Sequence, residues 1–198
     1  MVAQNSFPRT TQMGAAIYIG KKDNDFYVNG SKITSIDKAV SNGFVHKINR
    51  VIIPPVLIGN LQAILSRTGQ HTLFIEALTR ANRWVQLSSA SIFTILAPTD
   101  NAMTTAGFTS TVIASAPIAK LDSIVRYHYF NSTRLFSNDF GNNQQTPQTA
   151  LGPGRTITSL ENGNKMKGKT NANAATVILK DLHGINGVVH VIDGVLNY

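Results

Sequence analysis

The chain has 198 residues, enough for one large domain or for one and a half to two small ones, and a hydrophobic fraction of 42% that is ordinary for a globular protein. It contains no cysteine, which excludes disulfides, thiolate metal sites and a cysteine nucleophile. The net charge of +8 is spread evenly, with seven basic and three acidic residues in 1–54 and eleven and seven in 55–198, and this pattern disfavours a nucleic-acid-binding face.

Residues 1–55 have the pattern of short β-strands after an irregular start over 1–14. The pairs Asn29-Gly30 and Asn42-Gly43 favour tight turns, because both residue types tolerate positive φ. Pro54-Pro55 ends the last strand, because proline cannot donate a hydrogen bond to a β-ladder. The predicted strands cover 15–20, 26–28, 31–36 and 44–53.

The second part of the chain begins with helical patterns and ends with strand patterns. Thr99 or Asp100 is a natural N-cap for a short helix, and 131–148 is polar and turn-rich. Helices followed by strands, without βαβ alternation, predict an α+β fold. The predicted helices cover 56–66, 71–82, 101–106 and 118–129, and the predicted strands cover 91–97, 155–160, 165–169, 176–179 and 188–195.

An internal repeat is the most informative feature of the sequence. Residues 37–52 align with 181–196 at an offset of 144 without a gap, and seven of the sixteen positions are identical. Each copy contains Asn-Gly followed by an alternating apolar run that carries a histidine, His46 in one copy and His190 in the other. The repeat predicts tandem domains, with 1–55 as the C-terminal portion of one domain and 56–198 as a complete one.

His190 has two interpretations: a metal ligand or general base, or a core histidine whose ring nitrogens bond backbone groups. The second is favoured, because no acidic or cysteine partner stands at ligand spacing and because a repeated element suits a structural role. The sequence also lacks a nucleophile elbow and a phosphate-binding glycine loop. We therefore predict no catalytic residue, cofactor or metal, and a buried His190 close to 94–100.

Three segments resemble the signature motifs of fasciclin domains. Residues 93–102 (Phe-Thr-Ile-Leu-Ala-Pro-Thr-Asp-Asn-Ala) are similar to the first motif, 186–196 to the second, and 121–129 to the segment between them. Residues 15–55 resemble the end of a preceding fasciclin domain. Met103 departs from the family pattern, which usually has an aromatic residue there, and the first copy of the second motif has Lys47 and Asn49 in place of Val and Asp.

The resemblance implies a wedge-like β structure of about seven strands with a layer of α-helices. It also implies a non-enzymatic adhesion module that binds surface or matrix proteins. The family's partner-binding segment corresponds to Tyr127 and His128, although helical spacing alternatively puts His128 on an apolar stripe. The signature residues, which are structural in the family, are Thr94, Pro98, Thr99, Asp100, Asn186, Gly187, His190 and Asp193.

Two alternative functions follow from other features. The charge of +8 and the Asn/Gln-rich loop 138–148 suit a module that binds envelope polysaccharide. An enzyme or proton-coupled site around His190 is the third hypothesis. Each function is expected outside the cytoplasm, in an extracellular, cell-surface or periplasmic location.

Neither a leader nor a membrane span is visible, because 1–14 is polar and no run approaches ~20 apolar residues. Membrane association is therefore expected only through an anchor that these residues do not include. Strand edges in 1–55 would invite pairing, so this segment is expected to dock on 56–198 or to pair across a homodimer.

Overall fold

The computed structural model describes residues 1–2 and 5–198 and contains two β-sheets. In the first sheet five consecutive strands form an antiparallel meander. Asn29 and Gly30 both have positive φ between its third and fourth strands, which confirms the predicted turn. The strands are β1 (Ser6–Thr10), β2 (Ala16–Lys22), β3 (Asp25–Val28), β4 (Ser31–Val40) and β5 (Gly43–Ile48).

Three details of this sheet differ from the sequence prediction, the first being that the strand predicted over 31–36 extends to Val40. β1 lies in the segment that was expected to be irregular, and it tolerates Pro8 because it is an edge strand. β5 ends at Ile48 instead of 53, because its partner β4 begins at Ser31 and the last bond between them runs from Asn49 N to Lys32 O.

The second sheet has seven strands in the order β7-β6-β12-β11-β10-β9-β8, which confirms an α+β fold with about this number of strands. Among these strands β12 and β6 run parallel, and the other neighbouring pairs are antiparallel. The strands are β6 (Phe93–Pro98), β7 (Tyr129–Asn131), β8 (Gln144–Gln145), β9 (Thr158–Leu160), β10 (Lys165–Lys167), β11 (Ala175–Gly184) and β12 (Gly187–Ile192).

The predicted helix over 56–66 is divided into two, because Gly59 has a φ of 97° and the Asn60 side chain accepts a hydrogen bond from Ala63 N to begin the second helix. One further helix, capped by Thr109, was not predicted. The α-helices are α1 (Pro55–Ile58), α2 (Leu61–Thr68), α3 (Thr72–Arg80), α4 (Asp100–Thr105), α5 (Ser110–Ser115) and α6 (Ile118–Tyr127). In the described part of the chain, no helix has the length and apolar character that a membrane crossing requires.

Each face of the seven-stranded sheet has its own hydrophobic core. Ile95 and Val189 point into a core shared with the helices. Leu96 and Ile192 point into the opposite core, together with Tyr127 and side chains of the segment after α6. Both β6 and β12 are buried along their whole length, which is why both read as continuous apolar runs in the sequence.

The internal repeat found in the sequence corresponds to two hairpins, β4–β5 and β11–β12, whose strands pair in the same register. Asp37 and Asp181, at equivalent positions, have positive φ values of 54° and 60°. The hydrogen bond from Asn49 N to Lys32 O recurs as Asp193 N to Thr176 O. The register partners in β4–β5 are Ile33–Ile48, Ser35–Lys47, Lys38–Val45, Ala39–Phe44 and Val40–Gly43, and adding the offset of 144 to each number gives the partners in β11–β12.

The five-stranded sheet is docked on the second part of the chain, which is one of the two arrangements expected for 1–55. Asn5 N donates a hydrogen bond of 2.8 Å to the Asp139 carboxylate, and Lys22 Nζ donates one of 2.6 Å to Phe140 O. Arg50 donates to the Asp181 carboxylate at 3.0 Å. Ring contacts add to these polar bonds, since the ring centre of Tyr18 in β2 lies 5.6 Å from that of Phe136 and 5.5 Å from that of His183.

Candidate functional site

His190 lies buried between the two halves of its hairpin and the segment after β7. Its Nδ1 accepts a hydrogen bond of 3.4 Å from Asp181 N, and its Nε2 donates one of 2.9 Å to Leu135 O. This pairing defines a neutral ring protonated on Nε2. Burial lowers the pKa of His190, although the charge of Asp181 and the hydrogen bond to Leu135 act against the shift. Both nitrogens are engaged, so the ring is held as a connector and is not placed to reach a substrate.

The carboxylate of Asp181 links three segments. Its oxygens accept hydrogen bonds of 2.6 Å from both the backbone N and the Oγ of Ser137, and one of 3.0 Å from Arg50. The approach is so close that a Cβ on Gly30 would lie 2.3 Å from the carboxylate. In the first copy of the repeat, Asp37 N donates to Nδ1 of His46 at 3.3 Å, but this pair is exposed. The same local geometry therefore occurs in a buried and an exposed setting.

The residues of the first signature motif hold strands and helices together. Thr94 Oγ1 donates to Thr133 O at 2.7 Å and accepts from Leu135 N at 2.8 Å. Pro98 O accepts from Nδ1 of His71, and the Thr99 side chain caps α4. The carboxylate of Asp100 accepts a hydrogen bond of 2.8 Å from Leu73 N, in the first turn of α3. Asp100 thus caps a neighbouring helix and not its own.

The residues of the second motif make comparable connections. Asn186 accepts from Leu61 N at 2.9 Å, and its amide group donates to Leu87 O and Ser89 O. A Cβ on Gly187 would lie 2.0 Å from Phe93 O, so only glycine permits the approach of β12 to β6. Asp193 accepts from Thr176 N at 2.6 Å. The eight motif residues are spread over the fold and do not converge on one cavity.

The resemblance assigned partner binding to Tyr127 and His128, which requires exposed side chains, and this assignment needs correction because both side chains are fully buried. Tyr127 Oη donates to Thr156 O at 2.6 Å. His128 Nδ1 donates to Ile124 O at 2.8 Å, and its Nε2 accepts from Leu196 N at 3.0 Å. Burial lowers the pKa of His128 to about 4. The alternative interpretation, an apolar stripe that includes His128, describes its position.

Sequence reasoning missed a buried cation at Arg134. Its guanidinium donates to the carbonyl oxygens of Gly184, Ile185 and Gly187 at 3.0–3.1 Å and lies 4.8 Å from the ring centre of Tyr18 in β2. Burial lowers the pKa of neighbouring His183 to about 3, with a further contribution from the charge of Arg134. The available signal was a single arginine in a long polar stretch, which does not distinguish a buried cation from an exposed one.

A polar cleft and an exposed ribbon are among the surfaces of the described residues that are open to a partner. A polar cleft of about 430 Å³ lies between the β2–β3 turn and the loop after Asn138, and its lining includes Lys21, Asn142 and Gln144. The ribbon formed by β4 and β5 is exposed along most of its length. Phe44 and Val45 are 65% and 50% exposed, whereas their counterparts Val188 and Val189 are 0% exposed. Within the described residues, His, Asp and Glu side chains form no group of three that suits a metal ion.

Comparison with known proteins identifies the family and the fold that this chain shares. The family model of the fasciclin domain matches residues 3–54 and 69–198. Stabilin-2 of Mus musculus is 24% identical over 191 residues, which are 94% of this chain and 7% of that protein, so the chain spans a small part of that relative. The solved FAS1 domain pair of the insect cell adhesion molecule fasciclin I matches 99% of this chain and 72% of its own, with a TM-score of 0.58 and 18% identity.

Proposed function

The chain belongs to the fasciclin domain family, and from that premise we propose that it is a non-enzymatic adhesion module that binds surface or matrix proteins outside the cytoplasm. The relation to stabilin-2 and to an insect cell adhesion molecule supports this function. The motif residues support a structural role, because the side chains of Thr94, Asp100, Asn186, His190 and Asp193 bond backbone groups of other segments and that of Thr99 caps α4. We further propose that 1–55 is the C-terminal portion of one fasciclin domain and that 56–198 is a complete one.

The observation that carries the proposal is the distribution of exposed apolar side chains. Most of the large ones among the described residues lie within 1–57, including Phe7, Phe26 and Phe44. An apolar cleft of about 680 Å³ adjoins this region, lined by parts of 11–17 and 52–57. Concentrated apolar surface on a water-facing sheet is typical of a protein-binding face. The five-stranded sheet is therefore the proposed binding face.

Adhesion of protein-coated beads to a panel of purified surface and matrix proteins tests this face. The double variant Phe26→Ser/Phe44→Ser is expected to reduce adhesion at least ten-fold, because both rings are exposed on the proposed face. Val85→Ser, which changes an exposed side chain on the helical part, is the matched control and should retain adhesion. Equal adhesion of the two variants would place the binding face elsewhere.

A polysaccharide-binding function is the second candidate, and the polar cleft beside Asn138 favours it. Its lining combines amide groups with both ammonium and carboxylate groups, including Lys21 and Asp23, and these suit the hydroxyl groups of a glycan. A glycan array probed at low ionic strength is expected to show binding that Lys21→Gln/Asn142→Ala abolishes and that Lys120→Gln, remote from the cleft, leaves intact. Absence of any glycan signal at low ionic strength would remove this candidate.

A further inference from the structure

The guanidinium of Arg134 is a buried positive charge that no carboxylate of the described residues neutralises. Arg134 is 4% exposed, and its hydrogen bonds go to backbone carbonyl oxygens. The ion pairs found in the described part of the chain are all made by other cations. Carbonyl groups and the Tyr18 ring solvate the guanidinium, but they do not cancel its charge. An unpaired buried cation favours an anion beside it.

Arg134 lines a pocket of about 210 Å³ at the junction of the five-stranded sheet and β11, which we call the arginine pocket. The other walls come from parts of 14–18, 55–56 and 183–185, and none of the lining residues is an aspartate or glutamate. His183 is a second polar side chain of this lining and is 5% exposed. Its Nδ1 is buried and has no hydrogen-bond partner among the described residues. The arginine pocket thus offers a cation and an unsatisfied ring nitrogen to a ligand.

The arginine pocket adjoins the apolar cleft of about 680 Å³, and the two share the walls formed by 14–16 and 55–56. No charged residue lines the apolar cleft, whose side chains include Met13 and Leu57. Asn29, also in this lining, is 4% exposed. Its Oδ1 accepts a hydrogen bond of 2.8 Å from Tyr18 N, which identifies Nδ2 as a buried donor that the described residues leave without an acceptor. A long apolar space therefore lies beside unsatisfied polar atoms and an unpaired cation.

We propose that the arginine pocket and the apolar cleft together bind a long-chain carboxylate, with its carboxylate group towards Arg134 and its hydrocarbon chain in the apolar cleft. Both volumes suit a small molecule, and the mostly apolar lining with a few buried polar groups is typical of such sites. The proposal goes beyond the adhesion function and does not require it, because it concerns a small ligand and not a protein partner.

The charges of the lining distinguish a carboxylate from other ligands. A cationic amphiphile would meet Arg134 without an acidic residue in either lining. A neutral alcohol with the same chain would leave the charge of Arg134 unpaired. A small anion such as acetate would leave the apolar cleft unfilled and would gain nothing from burial of a chain. A carboxylate with a long chain satisfies both the cation and the apolar surface.

Isothermal titration calorimetry on the full chain, with each ligand below its micelle concentration, tests the proposal. Decanoate should bind at least ten-fold more tightly than 1-decanol, because hydrogen bonds to a charged group are stronger than those to a neutral one. Acetate should show no measurable binding. From octanoate to decanoate the affinity should rise about four-fold for each added methylene, as expected for burial of the chain. Equal affinities for decanoate and 1-decanol would contradict the role of Arg134.

A pair of variants at Ala16 tests the charge without disturbing the interior. Ala16 is exposed and lines both the arginine pocket and the apolar cleft. Ala16→Glu should weaken decanoate binding at least five-fold relative to Ala16→Gln, whose side chain has the same size, because only Glu repels the carboxylate. The two variants should bind 1-decanol equally. Lys120→Gln, an exposed site in α6, is the control for net charge and should retain decanoate binding.

NMR spectra of the 15N-labelled chain give the location of binding. Decanoate should shift the side-chain N–H signals of Arg134 and Asn29 and leave those of Asn142, in the polar cleft, unchanged. Shifts at Asn142 alone would place the carboxylate elsewhere and overturn the proposal. Arg134→Met should bind decanoate no better than 1-decanol, provided that circular dichroism shows it folded; the Ala16 pair keeps the test valid if it is not.

Two further results would overturn the proposal. Absence of decanoate binding while bead adhesion stays intact would refute the carboxylate site without affecting the adhesion function. Cosedimentation of the chain with phosphatidylglycerol vesicles, but not with phosphatidylcholine vesicles, in the absence of decanoate binding would assign the same charge to an anionic membrane surface. Decanoate binding that persists in a chain unable to adhere would uphold the site and remove only the adhesion function.

Discussion

At the residue scale, two buried histidines act as connectors in opposite tautomers. His128 carries its proton on Nδ1 and accepts on Nε2, whereas His190 carries it on Nε2 and accepts on Nδ1. In each case one ring bonds a backbone N–H and a backbone carbonyl of different segments. A proton on the second nitrogen would break one of these bonds and bury a charge. The two rings are therefore built to stay neutral.

This arrangement predicts a loss of stability in mild acid. Histidine in the unfolded chain takes up a proton near its ordinary pKa of 6.5, whereas in the folded protein the pKa of His128 is about 4. Below pH 6.5 the unfolded state thus binds more protons, and at pH 5 His128 alone is expected to cost about 2 kcal/mol relative to pH 7. Urea unfolding at pH 7 and pH 5 measures the difference. His128→Gln should flatten the pH dependence, and His46→Gln, at an exposed ring, should preserve it.

Asp139 has the opposite effect on the free energy of unfolding in acid, so it contributes to the difference between pH 7 and pH 5. Burial raises the pKa of Asp139 from 3.8 to about 6, so as the pH falls the folded protein binds this proton at a higher pH than the unfolded chain does. Its contribution is stabilising in acid and is lost as the pH rises through 6. The expected net loss in acid holds because the pKa values of His71, His128, His183 and His190 are all lowered. A protein more stable at pH 5 than at pH 7 would contradict the histidine assignment.

The repeat supplies a matched pair of glycines for a second prediction. Gly187→Ala would place a Cβ 2.0 Å from Phe93 O, and backbone cannot move aside as a flexible side chain can. The expected cost is about 3 kcal/mol in the free energy of unfolding. Gly43→Ala, at the equivalent position, meets nothing within 4 Å and should change it by less than about 0.5 kcal/mol. Similar costs for the two variants, in urea unfolding, would show that the β12–β6 approach is not the reason for glycine.

At the element scale, Arg50 is the main charged connection between the five-stranded sheet and β11. Arg50→Met would leave the Asp181 carboxylate buried with Ser137 as its remaining described donor, and we expect a cost of about 2 kcal/mol, between the values for exposed and buried pairs. Urea unfolding followed by circular dichroism provides the measurement. Lys32→Met, which breaks the exposed Lys32–Asp25 pair, should have no measurable effect. Equal effects would make Arg50 an ordinary surface charge.

Elements that depend on local pattern were predictable from the sequence. The alternation in 188–195 identified β12, and the offset of 144 anticipated two hairpins of one register. The burial of each hairpin was not predictable, because the same strand register is largely buried in β11–β12 and largely exposed in β4–β5. Likewise, Arg134 and Asp139 lie in a polar, turn-rich segment whose composition is the same whether its side chains face water or a docked sheet. Their roles depend on contacts with distant parts of the chain.

The burial of Tyr127 shows the same limit. Helical spacing put His128 on a stripe with Leu121 and Val125, and that local inference agrees with the structure. The burial of Tyr127 depends on distant residues instead, because its hydroxyl donates to Thr156 O and accepts from Lys169 N. The sequence resemblance identified the position of Tyr127 and His128 correctly, but it did not predict that both side chains are buried.

At the scale of the whole molecule, the two sheets differ in how they are stabilised. Among the described residues, the buried apolar side chains before α1 are Val2 and Val28, and the remainder of the apolar core lies in the second part of the chain. A sheet with so little buried apolar surface does not offset its own conformational entropy. It stays folded through its contacts with 134–145 and with β11. The five-stranded sheet should therefore open before the seven-stranded one.

Urea unfolding with two probes tests this order. Trp84 is the single tryptophan of the chain and packs against the helix-side core, so its fluorescence reports the second part alone. Far-ultraviolet circular dichroism reports both sheets. We expect circular dichroism to show an early loss of strand signal, at urea concentrations where Trp84 fluorescence is unchanged, and Arg50→Met should move only this early phase to lower urea. Coincident transitions from both probes would mean that the docked sheet and its support unfold as one cooperative unit, because the polar contacts between them are then as strong as the core itself.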